Sequence, residues 1–350
     1  MDETRDANRP YDRRSALKIA AGAGASAALL GAAGPAVAQG AAATAAPAAP
    51  GATAPAERTG TPGWHRFTIG EARVTTVLDG LRPGEGPFPT FGADQSQEAM
   101  GALMKANFLP EDRFVNGFTP VLIETGDDLV LVDTGFGEGG AKNGLGRLVE
   151  RMGAAGYAPS DVTVVVLTHF HGDHIQGLVA GGRPTFENAR YVAGAREYEW
   201  WTSDEAKAGE RKDGAALVEK LVVPLREKMT LVKEGDTVVP GLTALEAFGH
   251  SPGMMVFRLE SGGKALWLTA DTANHFVASL QKPDWQVRFD QDKAMASETR
   301  RKVFDRIAQE KAPFIGFHMP FPAVGFVEKM EDGGYRYVAA SYQFDIDGDA

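Results

Sequence analysis

Between Val162 and His174 a short β-branched run, Val-Thr-Val-Val-Val-Leu, leads directly into Thr168-His169-Phe170-His171-Gly172-Asp173-His174. The run reads as a strand, and the segment after it carries four possible metal ligands within six residues. In an extended segment His169 and His171 project to the same side. The turn through Gly172 can swing Asp173 and His174 towards a second centre nearby. Packing is a poor explanation for such a cluster, because each buried ring nitrogen would need its own partner. Any metal has to sit on such residues, since the 350-residue chain contains 7 histidines and no cysteine. That absence also excludes disulfide scaffolds, cysteine-zinc sites, iron–sulfur clusters and thiol nucleophiles. With 46 acidic against 36 basic side chains, a net charge of −10, a polyanion is disfavoured as main partner and no nucleic acid is expected.

Three further polar residues each lie just past an apolar strand: His250 in Gly249-His250-Ser251-Pro252-Gly253, Asp271 in Leu268-Thr269-Ala270-Asp271, and His318 in Gly316-Phe317-His318. Together they supply ligands that the first loop alone cannot provide.

The N-terminal region is set apart from the fold. Arg13-Arg14-Ser15-Ala16-Leu17-Lys18 precedes a weakly apolar, Ala- and Gly-dominated run ending Ala36-Val37-Ala38. Residues 1–38 read as a twin-arginine-type export signal cleaved after Ala38, with too few large apolar side chains for a stable membrane anchor. Residues 39–62, almost all Ala, Pro, Gly and Thr, read as a linker, and 63–350 as one folded domain. Strands are expected at Ala72–Asp79, Pro120–Glu124, Leu129–Asp133, Leu242–Ala247, Met254–Leu259, Ala265–Thr269 and Pro313–Phe317. Helical patterns fall at Gln97–Asn107, Ala215–Leu225 and Ser297–Gln309, and an apolar stripe of Leu145, Leu148, Val149 and Met152 marks another helix. This irregular order suggests sheets packed together with helices outside rather than regular βαβ winding.

The chain resembles the metallo-β-lactamase superfamily, whose hallmark is the HxHxDH loop followed by a distant His, Asp and His; Asp133-Thr134-Gly135 matches the family's short motif before that loop. The resemblance implies an α/β (α+β) fold, an αββα sandwich of two mixed β-sheets flanked by helices. One metal would take His169, His171 and His250, the other Asp173, His174 and His318, with Asp271 bridging and Asp173 and Asp271 catalytic. Two divalent ions are implied, zinc first, with Mn, Fe or Co as alternatives. Two cations sharing a carboxylate can share a water whose proton leaves at ~7. The implied reaction is therefore hydrolysis of lactone or ester bonds by a metal-bridging hydroxide.

Within the superfamily the pattern is most similar to the methyl parathion hydrolase and lactonase branch, on Leu129-Val130-Leu131-Val132-Asp133-Thr134-Gly135, Gly146-Arg147-Leu148, Ala154-Ala155-Gly156-Tyr157, His318-Met319-Pro320-Phe321-Pro322 and Gly334-Tyr335-Arg336-Tyr337-Val338. That adds organophosphate triesters as a substrate class, and a homodimer. Export would use the twin-arginine machinery and end in the periplasm or outside the cell. Acyl-homoserine lactonases carry a Tyr three residues beyond the bridging Asp, where this chain has Asn274. Trp201, Phe136, Asn274, Phe276 and Phe321 are the expected substrate-pocket residues, with aromatic walls suited to aryl or alkyl esters and lactones rather than highly charged substrates. His275 is expected to be a supporting or surface group, and His65 a surface one. The alternatives are a metallo-β-lactamase, a mononuclear-iron enzyme similar to persulfide dioxygenases, and a metal-sequestering module without catalysis.

Overall fold

The unbroken apolar run of the central strand is explained by what lies on its two sides. In the computed structural model, which describes residues 63–341, Val164 and Val166 pack into a core shared with a second sheet, while Val165 and Leu167 pack into another beneath helices. A strand covered on both faces has no reason to alternate with polar residues. Each of these four side chains is fully buried, worth ~1.5–3 kcal/mol apiece by area. The neighbouring strands divide in the same way: Val130, Val132 and Ile123 face inward between the sheets, and Leu129, Leu131 and Leu122 outward. The expected export signal and linker lie outside the described residues, as does the end of the domain, 342–350.

The first sheet runs in the order Trp64–Ile69, Ala72–Val77, Val121–Thr125, Asp128–Val132, Val164–Leu167, Arg190–Gly194, Met229–Val232. Its first four strands are antiparallel neighbours and the last three join in parallel. Thr125 and Asp128 close a two-residue hairpin with Gly126 at φ 58°, a left-handed conformation that glycine adopts without strain. The second sheet runs Thr237–Val239, Leu242–Glu246, Met255–Ser261, Lys264–Leu268, Phe314–Ile315, Val324–Lys329, Tyr335–Ala339, antiparallel except where Lys264–Leu268 meets Phe314–Ile315. Helix Lys293–Glu310 adds Val303, Phe304 and Ile307 to the core of this sheet. Helices Leu148–Ala154, Ala195–Trp201 and Lys212–Leu221 pack on the outer face of the first. The result is the expected αββα sandwich of two mixed sheets.

Two local expectations are corrected and one element is new. Val149 is 44% exposed, so the buried stripe of its helix is Leu148 and Met152, and Leu145 sits before the helix against Phe118 and Phe317. The helix expected at 215–225 runs Lys212–Leu221 and gives way to a 3-10 turn at Val223–Lys228, where Pro224 lacks the donor that would continue the α-helical ladder. A two-stranded ribbon, Gly80–Glu85 with Arg113–Phe118, was not anticipated. It holds Pro83, tolerable in a strand whose other side stays unpaired, and it forms one wall of the site described next.

Candidate metal centre

The seven singled-out residues meet at one edge of the sandwich. Asp133 follows Asp128–Val132, the His169–His174 segment follows Val164–Leu167, Asp271 follows Lys264–Leu268, and His318 follows Phe314–Ile315. All are carboxyl ends of parallel-paired strands, where αβ folds place ligands. Asp133 and Ala270 adopt φ 60° and 45°, strained for residues with a Cβ and found here directly beside the site. Asp133 turns inward and accepts from Thr168 N at 2.9 Å, Thr168 Oγ1 at 2.9 Å and His174 Nδ1 at 2.8 Å. Gly135 has φ 66°, and a Cβ there would lie 2.4 Å from the Asp79 carboxyl carbon. That buried carboxylate accepts from Phe136 N, Gly146 N and Leu148 N, each at 3.0 Å, which ties down the loop under the site.

Three imidazoles form the first pocket. His171 Nδ1 lies 2.9 Å from His169 Nε2 and 2.9 Å from His250 Nε2. The outer partners fix where the protons are. Asp290 Oδ1 accepts from His250 Nδ1 at 2.9 Å, leaving a lone pair on Nε2. The Thr168 hydroxyl spends its proton on Asp133, so at 3.1 Å it accepts from His169 Nδ1, and His169 Nε2 is a lone pair too. One proton on His171 Nδ1 could satisfy only one of these facing nitrogens, and His171 Nε2 is itself buried without a partner. Converging lone pairs of this kind fit a cation.

Asp173, His174, Asp271 and His318 form the second pocket, with one ligand atom from each lying within 4.8 Å of the others. His174 Nδ1 donates to Asp133, and His318 Nδ1 donates to the Gly117 carbonyl of the ribbon at 2.9 Å. Their Nε2 atoms therefore point lone pairs at carboxylate oxygens: His318 at Asp271 Oδ2, 3.1 Å, and Asp173 Oδ2, 3.6 Å; His174 at Asp271 Oδ1, 3.3 Å. His174 Nε2 and Asp271 Oδ1 are buried with no hydrogen-bond partner. Asp271 touches both pockets, its Oδ2 also lying 3.3 Å from His250 Nε2. Asn274, expected as a pocket wall, instead donates from Nδ2 to Asp271 Oδ2 at 2.9 Å and pins the carboxylate between the two sets.

The electrostatics separate the pockets. Burial, with the His174 and His171 imidazoles adding to it, pushes His169 well below its ordinary basicity. Burial and His250 do the same to His171, and the Arg211 guanidinium contributes. Burial also opposes charge on His174 and His318, but Asp133, Asp271 and Asp173 outweigh it at His174, which is raised well above its usual value, and Asp271 outweighs it at His318. Burial disfavours ionised Asp271, yet His318 and His174 hold its carboxyl well below the carboxylate range. A positive charge is thus favoured beside the carboxylates. The site's donor chemistry fits two divalent ions, with no thiolate in reach.

Supporting groups were less legible. Glu197, fully buried, accepts from Phe170 N at 2.8 Å, Ser251 Oγ at 2.6 Å and Gly253 N at 2.9 Å, joining the first histidine loop to the His250 loop. Asp290 pairs with Arg300 at 2.8 Å behind His250. His275 is buried rather than on the surface; burial lowers it to about 4, and its Nδ1 accepts from Val277 N and Ala278 N at 3.1 Å each.

The cavity in front of the donors, about 220 Å³, is lined by Arg82, Asn116, His171, Gly172, Asp173, Arg211, His250, Asp271, Phe289 and His318. None of the expected aromatic walls is among them. Trp201 is 1% exposed, its indole N–H donating to Glu197 at 2.7 Å and Ser251 at 3.1 Å; a polar tip with buried partners turns the ring inward. Phe136 packs with Phe118 and Phe317, Phe276 packs against two cores, and Phe321 lies outside the lining.

A sandwich whose edge gathers histidines and carboxylates into two such pockets is the framework of a metal-dependent hydrolase. The chain belongs to the metallo-beta-lactamase superfamily, whose family model matches residues 119–306. Among curated relatives, an N-acyl homoserine lactonase of Bacillus thuringiensis is 30% identical over 218 residues, 56% of this chain and 78% of the relative. That of Bacillus cereus is 27% identical over 215 residues with the same coverage. Among solved structures, AidC, a dizinc quorum-quenching lactonase in complex with a product, has a TM-score of 0.74 at 25% identity, covering 80% of this chain and 98% of that one. The hydrolase AbOPH matches in fold, with a TM-score of 0.72 at 23% identity over 80% and 98%.

Proposed function

We propose that the protein binds two zinc ions and opens lactone rings. The observation that carries this reading is Asp271, whose two oxygens reach imidazoles of both pockets. Lactonases among its relatives support it. When bound, the two cations would activate a water and polarise the acyl carbonyl. The chain's own residues do the rest. His169, His171 and His250 would hold one ion and Asp173, His174 and His318 the other, with Asp271 placed between the two sets. Asp173, with 21% of its side chain exposed, takes the proton of the attacking water and passes it to the departing ring oxygen. The acyl C–O bond breaks, the water oxygen joins the carbonyl carbon, and a hydroxy acid leaves. The Asn116 side chain, facing the cavity, orients the substrate.

The test is turnover of lactones, acyl-homoserine lactones, aryl esters and paraoxon-type triesters, with and without chelator. Chelator-sensitive lactone opening is expected, and its absence on every lactone overturns the reading. Nitrocefin and persulfide arms report the β-lactamase and oxygenase alternatives. We further propose export through the twin-arginine route, on the strength of the Arg13-Arg14 leader alone; processing after Ala38 in a periplasmic fraction tests it.

A further inference from the structure

An outer cavity of about 440 Å³ adjoins the metal-site cavity, and Arg82, Asn116, Arg211 and Phe289 line both. Arg288 lines the outer one. Three guanidiniums on three separate segments thus meet at the mouth: Arg82 on the ribbon, Arg211 just before helix Lys212–Leu221, and Arg288 in the connection before helix Lys293–Glu310. None of the three has a carboxylate partner among the described residues. Other arginines are spent on protein partners: Arg73 on Glu124, Arg300 on Asp290 and Arg306 on Glu310, and Arg190 and Arg226 on backbone carbonyls. Arg82 instead lies over the rings of Phe118 and Phe136, at 5.3 and 5.8 Å, which holds its fork in place. Glu85 is the one acid in the outer lining, and it bonds to none of them. Gathering three like charges in a chain of net charge −10 is unfavourable unless something anionic offsets them. A concave mouth of one sign also draws anions inward, and the guanidinium fork matches an oxyanion.

We propose that the substrate carries an oxyanion remote from the bond that is cleaved, a carboxylate or phosphate group, and that Arg82, Arg211 and Arg288 hold it. This rests on the lactone reading for the reaction, and it replaces the expected apolar pocket with one that selects charge. The test compares holoenzyme turnover of a butyrolactone whose side chain ends in a carboxylate with its methyl ester. The carboxylate form should have kcat/KM about tenfold higher or more, the scale of one charge-assisted pair. That ratio should fall on raising salt and approach one in the double variant R211Q/R288Q. A second measurement does not depend on turnover: glutarate and inorganic phosphate are titrated calorimetrically into chelator-treated protein. Binding about tenfold weaker in the double variant supports the site, and the tighter ligand names the oxyanion. A ratio near one in the unaltered enzyme, with equal or no binding in both proteins, overturns the proposal and leaves the lactone reading intact. Arginine-dependent binding without turnover of either lactone overturns the lactone reading and leaves the anion site.

Discussion

The two pockets sit side by side yet hold their imidazoles by different means. In the three-histidine pocket His169 and His171 are pushed towards lower basicity by burial and by neighbouring imidazoles. In the neighbouring pocket, Asp271 outweighs burial at His318 and, with Asp133 and Asp173, at His174. Burial therefore sets the basicity of one pocket and carboxylates that of the other, and Asp271 is the residue they share. The pinning groups also differ: Asp290, with Arg300, stands behind His250, whereas Asp133 bonds His174 directly and reaches His169 through the Thr168 hydroxyl. A variant at Asp290 therefore touches one pocket and a variant at Asp133 touches both.

The largest effect is expected from Asp271→Ala. Losing the shared carboxylate should release at least one ion per chain by elemental analysis and lower turnover by ~10³-fold or more, the scale of removing preorganised charge. Two retained ions with an undiminished rate would remove Asp271 from the site. Asp173→Asn comes next: kcat should fall by ~10²-fold, as for a lost proton acceptor, with KM nearly unchanged in steady-state kinetics. The comparison between pockets is sharpened by Asp290→Asn and Asp133→Asn, each expected to weaken metal binding by ~10–100-fold. In a competitive chelator titration the first should shift one binding step and the second both; equal shifts of both steps in Asp290→Asn break the distinction. Smallest is the effect of chelator on folding. Ligands at ~100 times Kd contribute about 2.7 kcal/mol, so calorimetry should show a melting temperature lower by several degrees in the stripped protein.

Much of the site was legible because its residues are rare in combination: four donors in six positions after an apolar strand have few structural explanations, and His250, Asp271 and His318 repeat the strand-end placement. The layered fold was legible from the irregular alternation of strands and helices, and the αββα sandwich from the family resemblance. What stayed hidden depends on distance along the chain. Arg82, Arg211 and Arg288 are ordinary surface arginines until the ribbon, a helix start and a loop bring them to one mouth. Trp201 misled because closeness in sequence to a loop says nothing about which way a helix turns its ring; the hydrogen bonds to Glu197 and Ser251 decide that. Glu197 itself, a buried acid linking two loops, carries no local signal at all.

Each set of donors is divided across the seam between the sheets. His169, His171, Asp173 and His174 come from the first sheet, and His250, Asp271 and His318 from the second. Neither pocket is complete on one half of the molecule, so each closes only where the two sheets pack together. A cation held there ties the two halves to each other.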